Sequence, residues 1–255
     1  MENAGSQRDN DGRSVWEIIG PIIGGIAASG IGLFSAVIPL QHDIEELSET
    51  RSKNIADRMN DAVDHLGSDA QDVRLGGIHA LRQIAEEAPE EQPDIVNLLV
   101  AFIRVHAPIP KTPRNPLNPP DPDVSGALSV IAGRNVAADD GKVVEIELSQ
   151  TDLMNLTLFK GTDLRKAKFD NSNLSHMYLW ANLSGVRFRG ANLHYADMKK
   201  SENLTVEQIV EACPTSQTLL PPNLAESEEI QERVRAVKEN RITECAKWQA
   251  SRPVS

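Results

Sequence analysis

Six histidines and two cysteines are the residues of this 255-residue chain best suited to metal ligation or nucleophilic chemistry. Their spacing supports neither. Cys213 and Cys245 lie far apart with no C-x-x-C pattern, so no zinc-ligand set is visible. They read as two reduced thiols, and a bridge between them has no support in the spacing. His42, His65, His79 and His106 are scattered, while His176 and His194 fall in one region and could approach each other. No G-x-S-x-G, H-E-x-x-H or glycine-rich phosphate loop accompanies them. The expectation is therefore no catalytic residue, no cofactor-binding residue, no metal ligand and no enzyme activity. An enzyme would need a site that no motif announces.

The chemistry that remains is recognition, and a repeat positions the residues for it. From Ile146 the chain reads IELSQ, TDLMN, LTLFKG, TDLRK, AKFDN, SNLSH, MYLW, ANLSG, VRFRG, ANLHY, ADMKK. The third unit has one residue too many and the seventh one too few. The central position is Leu148, Leu153, Leu158, Leu164, Phe169, Leu174, Leu179, Leu183, Phe188, Leu193 and Met198, large and apolar every time. Two places earlier the residue is mostly small late in the array, as at Ala181, Ala191 and Ala196. Neither a 3.6-residue period nor simple alternation puts every fifth residue on one surface. A coil with four short sides does, and each coil buries its core only against the next. Units four apart then stack. Phe169 should lie against Phe188 inside, with Lys168, Arg187 and Arg189 outside on the same side as a candidate interaction surface. The two slips in register are expected to be bulges or protruding loops.

Ala181-Asn182-Leu183, Ala191-Asn192-Leu193 and Ala196-Asp197-Met198 resemble the A(D/N)Lxx motif of the pentapeptide-repeat family. Thr151-Asp152-Leu153, Thr162-Asp163-Leu164 and Ser172-Asn173-Leu174 are near matches. The resemblance implies a right-handed quadrilateral β-helix over residues 146–200. It also brings a functional alternative, since some members imitate DNA to inhibit a topoisomerase. That activity asks for a long acidic surface. Here eight basic residues face five acidic ones between 146 and 200, leaving the array at +3 and the rest of the chain at −14 within a total of −11. A short basic stack is a poor DNA mimic, and an acidic chain is not expected to bind nucleic acid.

Outside the array, residues 18–40 hold no charged side chain over 23 positions. As a helix this stretch would rise about 35 Å, enough for a hydrocarbon core of about 30 Å. A transmembrane helix over 15–40, after a disordered 1–14, is expected to contact membrane lipid. A cleaved secretory signal ending near Ala27-Ala28-Ser29 is the competing reading. Gly20, Gly24, Ala28, Gly32 and Ala36 recur at every fourth position, a small-residue face through which two copies would associate in lipid. Arg51, Lys53 and Arg58 against Arg8 and Arg13 favour a cytoplasmic C-terminal body, single-pass in the inner membrane, and reduced thiols lean the same way.

Residues 41–106 show helical spacing and read as a stalk and small bundle, with Val73, Ile78, Leu81, Ile84 and Ala85 buried on the second helix. Ser68-x-x-Gln71 is a capping-box signal for that helix. Residues 72–85 resemble one unit of a HEAT-like repeat, and the whole segment resembles the helical region between anchor and repeats in some bacterial membrane proteins. Seven prolines between 108 and 122 mark 107–123 as a semi-rigid linker, with a lead-in helix and cap over 124–145. After the repeats, Thr205-x-x-Gln208 opens a capping helix and Asn223-x-x-Glu226 a longer charged one reaching about Trp248, within a C-terminal region of 201–255. That last helix is expected to fold back on the body or to stand as a solvated tail. The fold class is α+β: membrane helix, helical bundle, β-helix, C-terminal helices. The function expected is a membrane-anchored scaffold that binds a protein of unknown identity.

Overall fold

The computed structural model describes residues 34–249, apart from 113, 116, 119, 120 and 140–143. The chain divides into two units, Met1–Asn54 and Ile55–Ser255. Of the first, the described part is the beginning of helix α1 (Phe34–Leu66). Among the described residues no helix is long and apolar enough to cross a membrane. Most of the anchor expected at 15–40 lies outside the described residues, as do Gly20, Gly24, Ala28 and Gly32; Ala36 falls on the α1 backbone.

In the second unit, α1 ends with Ala62 and Leu66 buried and is followed by α2 (Gln71–Glu87), α3 (Gln92–His106) and α4 (Pro122–Ala132). Gly77 lets α2 approach α1 closely: a Cβ there would meet the Ala62 carbonyl at 2.8 Å. The capping box expected at Ser68 does not form. Its hydroxyl accepts from the Ala70 N–H at 3.2 Å, and the helix starts at Gln71 without a side-chain cap. Arg74 draws the Ser68 and Asp69 carbonyls to itself, which fixes the loop one step away from capping geometry. Val73, expected inside, is 37 % exposed. An ion pair joins α2 to α4: Arg74 reaches Asp123 at 2.6 Å, and Asp123 is almost fully buried.

The array is a coil with four sides. Parallel bridges run Glu147–Lys168–Arg187 on the first side and Asp152–Asn173–Asn192–Cys213 on the second. They run Thr157–Tyr178–Asp197–Leu219 on the third and Asp163–Asn182–Glu202 on the fourth. All eleven central residues are buried at 2 % exposure or less, so the five-residue reading of the core holds without exception. The longest paired strands, β1 (Thr157–Asp163) and β2 (Tyr178–Asn182), lie where the register slips. Leu158 pairs with Leu179 and Thr162 with Ala181, so the extra residue of one unit stands directly below the missing one of the next. The surplus chain bulges out at Phe159, which is 66 % exposed, and Gly161, whose φ is 96°.

Corners are made by turns closed with a hydrogen bond from the first residue of one unit to the central carbonyl of the unit before, such as Ala167 N–H to Leu164 at 2.9 Å. The fifth residue of each such unit takes a left-handed conformation: Gln150, Asn155, Lys166, Asn171, His176, Gly185, Gly190 and Tyr195 all have φ between 57° and 67°. Positive φ at the third turn residue alone is the signature of a type II turn. The Asp or Asn before each central residue has a separate task. Its side-chain oxygen accepts from the N–H two residues on, as Asn192 does from His194 at 3.1 Å. On the second side these amides also form a ladder, Asn192 to Asn173 at 2.9 Å and Asn173 to Asp152 at 2.7 Å.

Four further expectations are corrected. The proline-rich segment is not a spacer. Pro108 bridges Thr151, the Ala107 carbonyl accepts from the Asp152 N–H at 2.8 Å, and Arg114 meets Asp152 at 3.3 Å. Proline cannot donate to a ladder, but carbonyls on an edge still accept, so the segment runs along the second side. The coil also outlasts residue 200. Cys213 and Leu219 extend the second and third sides, while α5 (Val206–Glu211) follows the last fourth-side bridge at Glu202. The Thr205 capping box forms, and Gln208 donates to the Leu183 and Val186 carbonyls at 2.8 Å each, closing the end of the coil. Last, the predicted single helix from Asn223 is three: α6 (Pro222–Ala225), α7 (Glu228–Lys238) and α8 (Thr243–Gln249). The last two fold back. Trp248 donates to the Gly190 carbonyl at 2.9 Å, and Cys245 is disulfide-bonded to Cys213 with Cα atoms 5.6 Å apart. The reading of two reduced thiols is therefore overturned: the return of α8 brings together cysteines that no local spacing relates.

One apolar core runs from Ile55 through the bundle and the coil to Ile230. Helix α4 packs on α2, α3 and β1, and Arg134 donates to the Asp163 carbonyl at 2.8 Å. A smaller core of Cys213, Val237, Cys245 and Trp248, with Ile109 and Ile242 against it, locks the arm to the second side.

Candidate functional site

The side chains that a coil of this kind offers to a partner flank the buried central residue on either side. On the first side they are Lys168, Arg187 and Arg189, with Phe169 and Phe188 stacked behind them at 6.0 Å between ring centres and 12° between planes. The sequence places these five residues correctly relative to one another. It does not show that the cations are matched by carboxylates. Lys168 pairs with Glu145 and, at 3.5 Å, with Glu147; Arg187 pairs with Asp170; Arg189 lies 4.0 Å from Glu244 on α8. Partial burial opposes ionisation of Glu147, but hydrogen bonding to Ser149 and the Lys168 ammonium outweigh it and hold the carboxyl below its ordinary range. Glu145 first, then Glu147, holds Lys168 above its own. The first side is thus a mosaic of paired charges rather than a bare basic patch.

His176 and His194 do meet, at the corner between the second and third sides, with ring centres 5.9 Å apart. Tyr195 stacks on His176 at 4.9 Å, and the His194 Nδ1 lies 3.1 Å from the Thr215 hydroxyl. Desolvation alone pushes the His176 pKa below its ordinary value. A neutral imidazole against a phenol ring is packing chemistry. Among the described residues no three His, Cys, Asp or Glu side chains gather as a metal site. A cleft of about 490 Å³ opens between α2, α3 and α4, lined by Arg82, Gln92, Ser129, Arg134 and Asn135 among others. Gln92 is spent on Asn135 and Asp139, and Arg134 on Asp139, Ile131 and Asp163, so the cleft's polar groups brace the bundle.

The third side was missed by sequence reasoning. Tyr178 bridges Asp197, and Asp197 bridges Leu219, in one outward row. Beside it run Phe159 and Trp180, each following a paired central leucine. Tyr178 and Trp180 touch edge to face at 5.8 Å. The Trp180 indole donates to Asp197 at 3.2 Å and carries the Lys200 ammonium 4.1 Å above its ring. The signal was present in the outward positions of LTLFKG and MYLW, two units four apart that stack on one side, while the slip in register bulges Phe159 outward between them.

The family model for pentapeptide repeats, described as eight copies, matches residues 180–202, and the array is of that type. Comparison with curated proteins and with solved structures gave no match.

Proposed function

We propose that this pentapeptide-repeat chain is a non-catalytic interaction module, tethered to a membrane by residues 18–40, whose right-handed quadrilateral coil holds side chains rigidly toward a protein partner. The observation that carries the reading is the complete burial of all eleven central residues. A packed core of this kind fixes the backbone positions of the residues flanking each centre, and a rigid surface loses little entropy on binding. The small-residue face Gly20, Gly24, Ala28, Gly32 and Ala36 pairs two such anchors in lipid.

The disulfide favours the body facing an oxidising compartment, because buried bridges persist there and are rare in reducing cytosol. A three-to-two balance of flanking cations is a weak opposing signal. The test is cross-linking capture by the full chain in native membranes, beside a Lys168→Glu/Arg187→Glu/Arg189→Glu variant. A discrete partner retained by the parent chain supports the module. Substrate turnover by the purified chain, or its release from membranes by alkaline carbonate, overturns the corresponding half of the reading.

A further inference from the structure

Eight aromatic residues have described side chains, and four of them are buried: Phe102, Phe169, Phe188 and Trp248. The other four, Phe159, Tyr178, Trp180 and Tyr195, all lie on the third side or its corner with the second. Phe159 is 66 % exposed, Tyr195 50 % and Tyr178 48 %, with Leu219 at 43 % in the same outward row. A chain with only 4 % aromatics has thus put every one that reaches solvent, among those described, onto one flank of the coil. Aromatic side chains clustered at a rigid surface are the usual anchors of protein recognition.

Charge and ring geometry define what would sit there. Lys160 lies next to Phe159 on the bulge, and Lys199 and Lys200 follow Asp197 in the outer row. These three lysines outnumber the one aspartate of the row, which is itself held by Lys199 at 3.4 Å and by the Trp180 indole. In a chain of net charge −11 this is a locally basic rim, complementary to an acidic partner. Single-stranded nucleic acid also uses lysines and aromatics, but it needs open ring faces for base stacking. Here Lys200 covers a face of Trp180, and His176 covers a face of Tyr195. The most exposed residues left are a phenylalanine, two tyrosines and a leucine, a surface that suits apolar side chains.

We infer that the third side is the docking face of this module and that its occupant is an acidic polypeptide segment carrying large apolar anchors. The inference rests on the reading of the chain as an interaction module, and it assigns the contact to a different side from Lys168, Arg187 and Arg189. The bulge at Phe159–Gly161 then has a purpose: it raises Phe159 beside Trp180 as a ledge against which an anchor packs.

The probe is a fluorescent Glu-rich peptide with two Leu-Phe anchors, titrated into the full chain in mild detergent, beside an all-Glu peptide and oligothymidylate. The anchored peptide is expected to bind tightest, to weaken as salt is raised, and to lose about tenfold in affinity with Phe159→Ser or with Tyr178→Ser. Phe159 stands on an exposed bulge, so its variant keeps the fold; unchanged cooperative unfolding checks this. Tighter binding of oligothymidylate, or peptide binding unmoved by either substitution, overturns the inference. Peptide binding lost only in the Lys168→Glu/Arg187→Glu/Arg189→Glu variant returns the contact to the first side and leaves the module reading standing. Absence of binding to all three probes overturns the third-side assignment, and a partner still captured in membranes would then keep the broader reading alone.

Discussion

At eight corners a single residue is held at positive φ, and where it is not glycine the backbone is strained by about 1–2 kcal/mol. The coil accepts this at Lys166, His176 and Tyr195 because the neighbouring units fix the turn from both sides. Gly185 and Gly190 mark two corners without that cost, but they are not equivalent. A Cβ on Gly185 would make ordinary contact with Lys166 at 3.6 Å, whereas on Gly190 it would fall 2.8 Å from the Asn171 side-chain oxygen. That oxygen accepts from Lys247 on α8. Gly185→Ala is expected to lower unfolding free energy by about 1 kcal/mol and Gly190→Ala by about 2–3 kcal/mol, read from urea midpoints. Equal losses would mean that the contact with Asn171 is unimportant. His176 gives a pH test. Its folded pKa is depressed by desolvation, so the unfolded chain binds the proton more readily. The stabilisation is fully present above the ordinary value of 6.5 and is lost as pH falls through the folded value. His176→Gln should flatten the decline in urea midpoint between neutral and mildly acidic pH, and a parallel decline would assign it to other groups.

Among the elements, the returning arm of α7 and α8 is held by chemistry rather than by a large apolar face. Arg233 donates to the Ala212 carbonyl at 2.8 Å and meets Glu244 at 3.0 Å, Trp248 donates to Gly190, and Cys245 is bonded to Cys213. The bridge closes a loop with a sequence separation of 32 residues. Chain-entropy reasoning gives such a loop a stabilisation of about 3–4 kcal/mol. Cys245→Ser, or reduction by a dithiol, is expected to cost about 3 kcal/mol in urea unfolding. Without denaturant, the parent chain should resist a bulky maleimide at both positions. Prompt double labelling of untreated protein would show free thiols and remove the oxidising-compartment argument. The helix α5 and the proline-rich segment close the coil by different means. One takes the Leu183 and Val186 carbonyls through Gln208, and the other offers its own carbonyl at Ala107 to the second side.

Over residues 55–255 the bundle and coil share a core, so the proline-rich stretch cannot act as a hinge between separate bodies. The array was legible in the sequence because its signal is local and repeated. Every unit states its own inward residue, and eleven agreeing statements outweigh two slips. The stacking of Phe169 on Phe188 follows from the same arithmetic. What an outward residue touches is a different kind of fact. It depends on the length of a whole turn, which is twenty-one residues from Glu147 to Lys168 and nineteen from Lys168 to Arg187. An insertion in one coil and a deletion in the next therefore decide that the chain bulges outward at Phe159, opposite Trp180. The carboxylates opposite Lys168 and Arg187, the partner of Cys213 and the packing of Pro108 on Thr151 depend further on where distant segments come to rest. Periodicity along the chain determined the inside of this protein, while contacts across turns, which no local pattern encodes, decided its outside.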